Sequence, residues 1–260
     1  MSFTRIKAML MRYLYFFGKF ENISENFYWP VIDILLWGMT SMWIQSAQSE
    51  ISNVGVAILT GLVFWQVIWR ASYEVSGNLL QEFWGRNLVN LFSTPLRFAE
   101  WAISFMLVGF LKTLMVVFFS ALVIWLFYAV NVFQIGLAII PYIGLLTLSG
   151  WLIGFFSAAI LIYMGQRVQM LAWMMPFLFA PFSAIFYPLS ALPVWAQGVA
   201  KCLPTTYVFQ GMREVLMEGT FSMGLFSMSL LLNAIFFTLT LVLFKIAFEK
   251  SRAKGLSRLE

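Results

Sequence analysis

The stretch that decides the fold is GLAIIPYIGLLTLSGWLIGFFSAAILIYM, Gly136–Met164, which contains no charged residue. A helix that rises 1.5 Å per residue needs roughly 20 apolar residues to cross the hydrocarbon core of a bilayer. Backbone groups cannot stay unpaired in lipid, and such runs are too long for barrel strands. We therefore predict an all-α, polytopic integral membrane protein. Its six spans occupy about 27–45, 54–73, 102–130, 136–164, 170–188 and 223–248, within a transmembrane domain over 26–248.

The composition excludes a water-soluble globule. The 260 residues are 62% hydrophobic and 10% charged, whereas soluble domains average about 45–50% and about 25%. The chain has no histidine and a single cysteine, Cys202. An imidazole triad, the common zinc sites, haem ligation by histidine and an intrachain disulfide are therefore excluded. We predict no catalytic site, no metal site and no bound cofactor in this chain.

The distribution of Lys and Arg predicts the orientation, because cytoplasmic loops carry an excess of both. With the N-terminus inside, the outer loops hold only Lys201 and Arg213. Both termini are thus expected in the cytoplasm, with a basic tail over 249–260 and no cleavable signal peptide at the N-terminus. The net charge of +5 suits the anionic inner leaflet of the plasma membrane and not a nucleic acid.

The N-terminal segment, residues 1–25, reads as an amphipathic helix. Arg5, Arg12 and Lys19 recur every seven residues and share one face, while apolar side chains cover much of the rest. We predict a helix over about Ser2–Phe20 that lies in the cytoplasmic interface. Two roles stay open for it: a plain anchor on the membrane surface, or a docking element.

The cytoplasmic connection between spans two and three, about Gly77–Glu100, has an apolar and a polar stripe. We predict one amphipathic helix over 78–93. Thr94-Pro95 ends it, because the residue before proline is pushed out of the α region. Such a helix suits the transmission of movement from a cytoplasmic partner; the alternative is an apolar loop that rests on the bilayer.

The outer segment 189–221 precedes the last span and is punctuated by proline. Pro193 suits a first helical turn, which predicts a helix over about Pro193–Cys202. A second helix is expected over about Thr205–Glu218, ended by Gly219. Both are too short to span a bilayer and too apolar to stand free in water. A re-entrant helical hairpin that dips into the outer leaflet satisfies both constraints.

Two stretches of the sequence resemble the permease subunits of ABC type-2 exporters. One is GNLLQEFWGRNLVNLFSTPLRFAEW, Gly77–Trp101, and the other is FYPLSALPVWAQGVAKCLPTTYVFQGMREVLMEG, Phe186–Gly219. The first is similar to the family's pattern of a glutamate, an amphipathic helix, "TPL" and a second glutamate. The second is similar to its "P…LP.W…P…Y…R" segment. The six spans, the cytoplasmic coupling helix and the re-entrant hairpin also resemble the topology of that family.

The resemblance implies a permease that works as a homodimer, or paired with a similar permease, and that is driven by a separate ABC ATPase. ATP and Mg²⁺ would be used by that partner. The sequence itself contains no G-x-x-x-x-G-K-[ST] phosphate-binding loop, so the energy must come from another chain. The residues expected to couple the permease to the ATPase are Glu82, Phe83, Trp84, Arg86, Asn87, Leu88, Thr94 and Pro95.

The predicted mechanism is alternating access, in which the coupling helix tilts the spans and opens an outward path. Pro176, Pro181 and Pro188 each remove a backbone donor and could weaken span five locally, although prolines are also tolerated in ordinary membrane helices. Other candidates for the pathway or gate are Asp33, Lys112, Pro193, Trp195, Pro204, Tyr207 and Arg213.

Intramembrane charges are expected to be paired or functional. Lys112 can pair with Asp33 or with Glu74, and Arg70 lies four residues before Glu74 on the same helix. Contact with substrate is the alternative for Asp33 and Lys112. The 11 tryptophans favour an aromatic belt at the two interfaces, with stacking on sugar rings or flat drug-like molecules as the alternative.

Three other functions compete with the ATP-driven exporter. An ion-coupled secondary transporter usually has several carboxylates at mid-membrane and repeated halves, which this sequence lacks. An intramembrane enzyme would need convergent acid and base groups. A membrane scaffold that transports nothing agrees with the composition. The cargo of an exporter stays open among drug-like amphiphiles, lipids and lipid-linked glycans.

Overall fold

A computed structural model describes residues 1–17, 20–47 and 54–255. Lys19 of the predicted N-terminal helix, most of the first outer connection and the end of the basic tail lie outside the described residues. The described residues form helices and turns without a strand. The α-helices are α1 (Phe3–Phe17), α2 (Phe20–Ala47), α3 (Val54–Trp84), α4 (Leu88–Ser93), α5 (Phe98–Tyr128), α6 (Ile139–Met164), α7 (Leu171–Phe179), α8 (Val194–Lys201), α9 (Pro204–Glu218) and α10 (Met223–Ala253). The all-α fold class is confirmed.

The helices are long and apolar enough to make this a membrane protein. By length and composition, four described segments can cross a bilayer: Val54–Trp84, Phe98–Tyr128, Val132–Val168 and Met223–Ala253. The helix at span one, α2, has 28 residues, and the apolar helix at span five is shorter, Leu171–Phe182. The count of six spans therefore stays a prediction.

Helix α3 is the centre of the fold. It packs against α2, α5, α6 and α7, and its side chains are buried along nearly its whole length. Helix α6 lies between α3 and α10. The close crossing of α3 and α6 depends on two glycines of α6, Gly150 and Gly154, which meet the backbone of α3 directly. Small residues at such crossings let membrane helices pack without a hydrophobic driving force.

Span five is not the continuous helix predicted over 170–188. Helix α7 ends at Phe179, a 3₁₀ turn follows over Ala180–Phe182, and the chain is extended at Pro188. The physical reason lies in the prolines, since Pro181 and Pro188 supply no backbone donor to continue the helix. Pro176, in contrast, is accommodated inside α7.

The predicted coupling helix over 78–93 is also broken. Its first half is the continuation of α3, which runs without interruption to Trp84. A tight turn follows in which Arg86 has a φ of 48°, in the left-handed region that ends an α-helix. The second half is the short helix α4, which ends before Thr94 and Pro95 as the sequence predicts. Span two and half of the coupling segment are therefore one rod of 31 residues, about 46 Å long.

The two short helices of the outer segment match their predicted bounds to within one residue. Helix α8 begins directly after Pro193, and α9 begins at Pro204 and is capped by Gly219 with a φ of 69°. Glycine is suited to that position because it has no Cβ to clash in the left-handed region. The depth of this hairpin in a bilayer stays a prediction.

Candidate functional site: a coupling turn and an aromatic cavity

The turn between α3 and α4 is one exposed part of the segment predicted to couple to a partner. Trp84 is 51% exposed, and Gly85 and Arg86 are exposed beside it. Three backbone bonds fix the turn: Gly85 N donates to Gln81 O (2.9 Å), Arg86 N to Phe83 O (3.1 Å) and Asn87 N to Glu82 O (3.0 Å). These bonds hold the turn in a fixed conformation at the end of α3.

Three of the predicted coupling residues point into the protein and cannot meet a partner in this conformation. Phe83 and Leu88 are fully buried, and Glu82 is 1% exposed. Their part in coupling stays a prediction, and in this conformation it would have to be indirect. Of the other predicted residues, Trp84, Arg86, Thr94 and Pro95 are exposed and Asn87 is half-buried.

Glu82 is buried because it holds the N-terminal helix. Arg12 of α1 donates from Nε to Oε1 and from Nη2 to Oε2 of this carboxylate, both at 3.0 Å. Asn87 donates from Nδ2 to Oε2 at 2.8 Å. Two parallel bonds from one guanidinium fix both the distance and the orientation of the pair. Glu82 therefore ties α1 to the end of α3 and to the turn.

A second glutamate, Glu100, ties the beginning of α1 to α5. The backbone N of Ser2 donates to its Oε1 at 2.7 Å, and Arg5 donates from Nη1 to Oε2 at 3.2 Å. Between the two carboxylates, Tyr13 is buried and its hydroxyl accepts from Trp101 Nε1 at 2.9 Å. Burial, followed by the charge of Glu82, raises the pKa of the Tyr13 hydroxyl well above its usual value. Helix α1 is thus docked on the bundle, and its role as a membrane anchor or as a docking element stays a prediction.

The coupling turn also touches the connection between α6 and α7. Gln166 donates from Nε2 to Phe83 O at 3.2 Å, and Trp84 donates from Nε1 to Gln169 Oε1 at 3.2 Å. The Trp84 ring stacks on Trp173 of α7 with 6.3 Å between the ring centroids. Movement of the turn would therefore reach α3 directly and α7 through Trp84.

The buried charges of the spans form one cluster around Glu74. Lys112 lies 2.7 Å from Glu74 Oε2 and Arg70 lies 3.4 Å from Oε1. Of the two partners considered for Lys112, the structure thus brings it to Glu74 and not to Asp33. Asp33 instead accepts a hydrogen bond from Gln66 Nε2 at 2.8 Å.

Asp33 lies in a cavity of about 450 Å³ between α2, α3 and α7. The other residues that line it are Trp29, Trp65, Gln66, Trp69, Trp173 and Phe177. The sequence contained a signal for this cavity that the aromatic-belt interpretation missed. Each of the three helices contributes a pair of lining residues four positions apart, and residues at that spacing share one face of a helix.

The remaining candidates do not line this cavity; they organise the outer segment. Arg213 donates from Nη1 to the carbonyl oxygens of Ala184 (2.8 Å) and Ile185 (3.4 Å), where the chain leaves α7. Tyr207 donates to Lys201 O at 2.7 Å. Trp195 is exposed on α8 and meets Phe182 edge-on.

Comparison with known proteins identifies the family. A family model described as ABC-2 type transporter matches residues 5–217, which include most of α1, the coupling turn, the cavity, α8 and nearly all of α9. No curated protein matches the chain at a significant level.

Proposed function

Because this chain belongs to the ABC-2 type transporter family, we propose that it is the membrane subunit of an ATP-driven exporter that moves an amphiphilic substrate outward. Members of this family are the membrane components of transporters and work with an ABC ATPase subunit. Hydrolysis of ATP, with its Mg²⁺, takes place on that partner. The permease pairs with a second copy or a similar subunit, and both termini face the cytoplasm.

The observation that carries this proposal is the continuity of α3. The same helix supplies one wall of the cavity, through Trp65 and Trp69, and the base of the exposed turn at Trp84. A continuous, closely packed helix transmits strain along its length. Force applied at the turn by an ATPase would therefore displace the cavity wall without any intermediate element.

Helix α7 supplies the second wall and the movable part. Its Trp173 lines the cavity and also stacks on Trp84. Beyond Phe179 the helical hydrogen bonding is interrupted at Pro181, so α7 can pivot there relative to the outer segment. A short helix that is driven at one end and hinged at the other is the two-state element that alternating access requires.

Partner contact is assigned to the exposed surface of the turn, Trp84 and Arg86, with Thr94 and Pro95 beside it. Glu82 acts behind that surface by holding α1 against the turn. In this arrangement α1 stiffens the coupling turn, so that force from the ATPase moves α3 and α7 and is not lost in local bending.

The proposal predicts that an ATPase subunit co-purifies with the permease in lipid nanodiscs and that its hydrolysis is stimulated by transported amphiphiles. Combined Trp84→Ala and Arg86→Gly should abolish the stimulation. Glycine is chosen because it adopts the positive φ of Arg86 without strain. Trp125→Ala, a similarly exposed tryptophan on α5 that belongs to neither the turn nor the candidate pathway, is the matched control and should leave stimulation unchanged. Stimulation that survives the double substitution contradicts the assignment of the turn.

A further inference from the structure

The cavity between α2, α3 and α7 combines several aromatic faces with a single carboxylate. Trp29 and Asp33 belong to α2, Trp65 and Trp69 to α3, and Trp173 to α7. A cavity assembled from three helices, with four tryptophans in its wall, has a more specific composition than an interfacial belt.

The aromatic rings are held in fixed orientations by their neighbours. Trp65 meets Phe177 edge-on with 5.6 Å between centroids. Trp69 stacks on Tyr73 at 5.3 Å, and Tyr73 stacks on Trp173 at 6.4 Å. Indole rings carry negative charge on their faces, so a cation within about 6 Å of a ring centroid is attracted. Trp69 already has the guanidinium carbon of Arg70 at 5.1 Å from its ring centroid.

No cation of the described part of the chain forms an ion pair with the carboxylate of Asp33. Gln66 donates to its Oδ2, and among the described residues no ion pair includes Asp33. Two buried basic side chains of the described spans, Arg70 and Lys112, are both bonded to Glu74. Asp33 is half-buried within a predicted membrane span, where a charged carboxylate is costly unless an opposite charge accompanies it. A cationic ligand would supply that charge.

The cavity has too few polar groups in its lining to suit a sugar. Besides the indole N–H groups, only Asp33 and Gln66 offer polar atoms, and these two are already bonded to each other. A sugar ring carries several hydroxyls, and each one left without a partner in an apolar cavity costs about 1–3 kcal/mol. A quaternary ammonium group has no hydrogen to donate, so it needs only negative charge and aromatic faces.

We propose that this cavity binds the cationic head of an organic amphiphile, an alkylated or quaternary ammonium group, with Asp33 as its counter-ion and the tryptophans as its cage. This inference rests on the proposed export function and names its substrate class. The apolar part of the ligand would lie toward the open side of the cavity, where Trp29 and Phe177 are exposed.

The test measures binding to the permease in nanodiscs without ATP, with empty nanodiscs as background. The probes are benzyltrimethylammonium and neopentylbenzene, its neutral isostere in which carbon replaces nitrogen. The wild-type chain should bind the ammonium at least about ten-fold more tightly than the isostere. Asp33→Asn should remove this preference, because the amide keeps the acceptor for Gln66 but not the charge. Glu218→Gln, an exposed carboxylate on α9, is the matched control and should retain it.

A second substitution measures the contribution of the tryptophan rings to binding separately from that of the Asp33 charge. Trp69→Leu should weaken ammonium binding several-fold, whereas Trp43→Leu, an exposed tryptophan elsewhere on α2, should not. Equal binding of the two probes by the wild-type chain, or unchanged ammonium binding in Asp33→Asn, overturns the proposal, as does tighter binding of octyl glucoside than of the ammonium. Because no ATPase takes part, these outcomes leave the proposed coupling untouched, and a missing ATPase partner would leave this measurement valid.

Discussion

Alanine at Gly150 or Gly154 should strongly destabilise the protein. A Cβ added at Gly150 would lie 2.5 Å from Ala71 Cβ and 2.7 Å from Ile68 O; at Gly154 it would lie 2.6 Å from Ser72 O. These neighbours include backbone atoms of α3, which cannot turn aside as a flexible side chain can. Overpacking of this kind costs typically about 1–3 kcal/mol per site, occasionally more. The double substitution should therefore prevent folding or lower the midpoint of thermal unfolding in nanodiscs by many degrees.

Gly144→Ala is the matched control on the same helix. An added Cβ at Gly144 meets nothing within 4 Å. Alanine has a higher helix propensity than glycine by about 1 kcal/mol, so this variant should be as stable as the wild type or slightly more stable. If Gly154→Ala and Gly144→Ala unfold at the same temperature, α3 and α6 do not cross as described.

Removal of the Lys112 charge by Lys112→Met should be at least as damaging as either glycine substitution alone. Lys112 and Glu74 are 7% and 3% exposed, and their 2.7 Å bond closes a cluster that also contains Arg70. Breaking a buried pair by removing one partner typically costs about 3–5 kcal/mol, because the other charge remains buried without full compensation. Lys112 also lies 5.0 Å from the centroid of the Phe17 ring at the end of α1, so packing of α1 should loosen too.

Lys245→Met is the control. Lys245 is also paired with a glutamate, but that pair is exposed. Lys245 and Glu249 are both 61% exposed and 3.8 Å apart. Exposed pairs contribute about 0–1 kcal/mol, so this variant should unfold within a degree or two of the wild type. A cycle that adds Glu74→Gln to Lys112→Met measures the coupling energy directly. A coupling energy near zero would show that Lys112 and Glu74 do not form a stabilising ion pair.

The fold class followed from the sequence because a single physical requirement, the satisfaction of backbone groups in lipid, leaves few solutions for long apolar runs. The bounds of α8 and α9 were predictable for a similar local reason, since Pro193, Pro204 and Gly219 act on their own helix termini. Span five was predicted too long because the prolines were treated as weak points of a helix and not as its end.

The coupling segment was predicted less well because its structure depends on distant residues. Glu82 falls on the polar stripe of an amphipathic helix, which indicates exposure. It is buried only because Arg12, 70 positions earlier in the chain, reaches it. No local pattern contains that partner. The break at Arg86 could not be predicted either, since a non-glycine residue rarely takes a positive φ.

The sequence predicts part of the cavity, namely which lining residues share a helix face. Trp29 with Asp33, and Trp65 with Trp69, each stand four residues apart, so each pair shares a helix face. Which faces meet depends on how α2, α3 and α7 are arranged around each other, and the sequence alone contains no measure of that arrangement.

Site-specific cross-linking tests most directly whether the coupling turn contacts the ATPase. Cys202 is the only cysteine and is exposed, so Cys202→Ser provides a cysteine-free background. In that background Trp84→Cys labelled with a photoactivatable maleimide should cross-link to the ATPase subunit in membranes, whereas Trp195→Cys on α8 labelled in the same way should form no cross-link. A cross-link at Trp195→Cys with none at Trp84→Cys would contradict the account, because the ATPase would then sit at the opposite end of the protein.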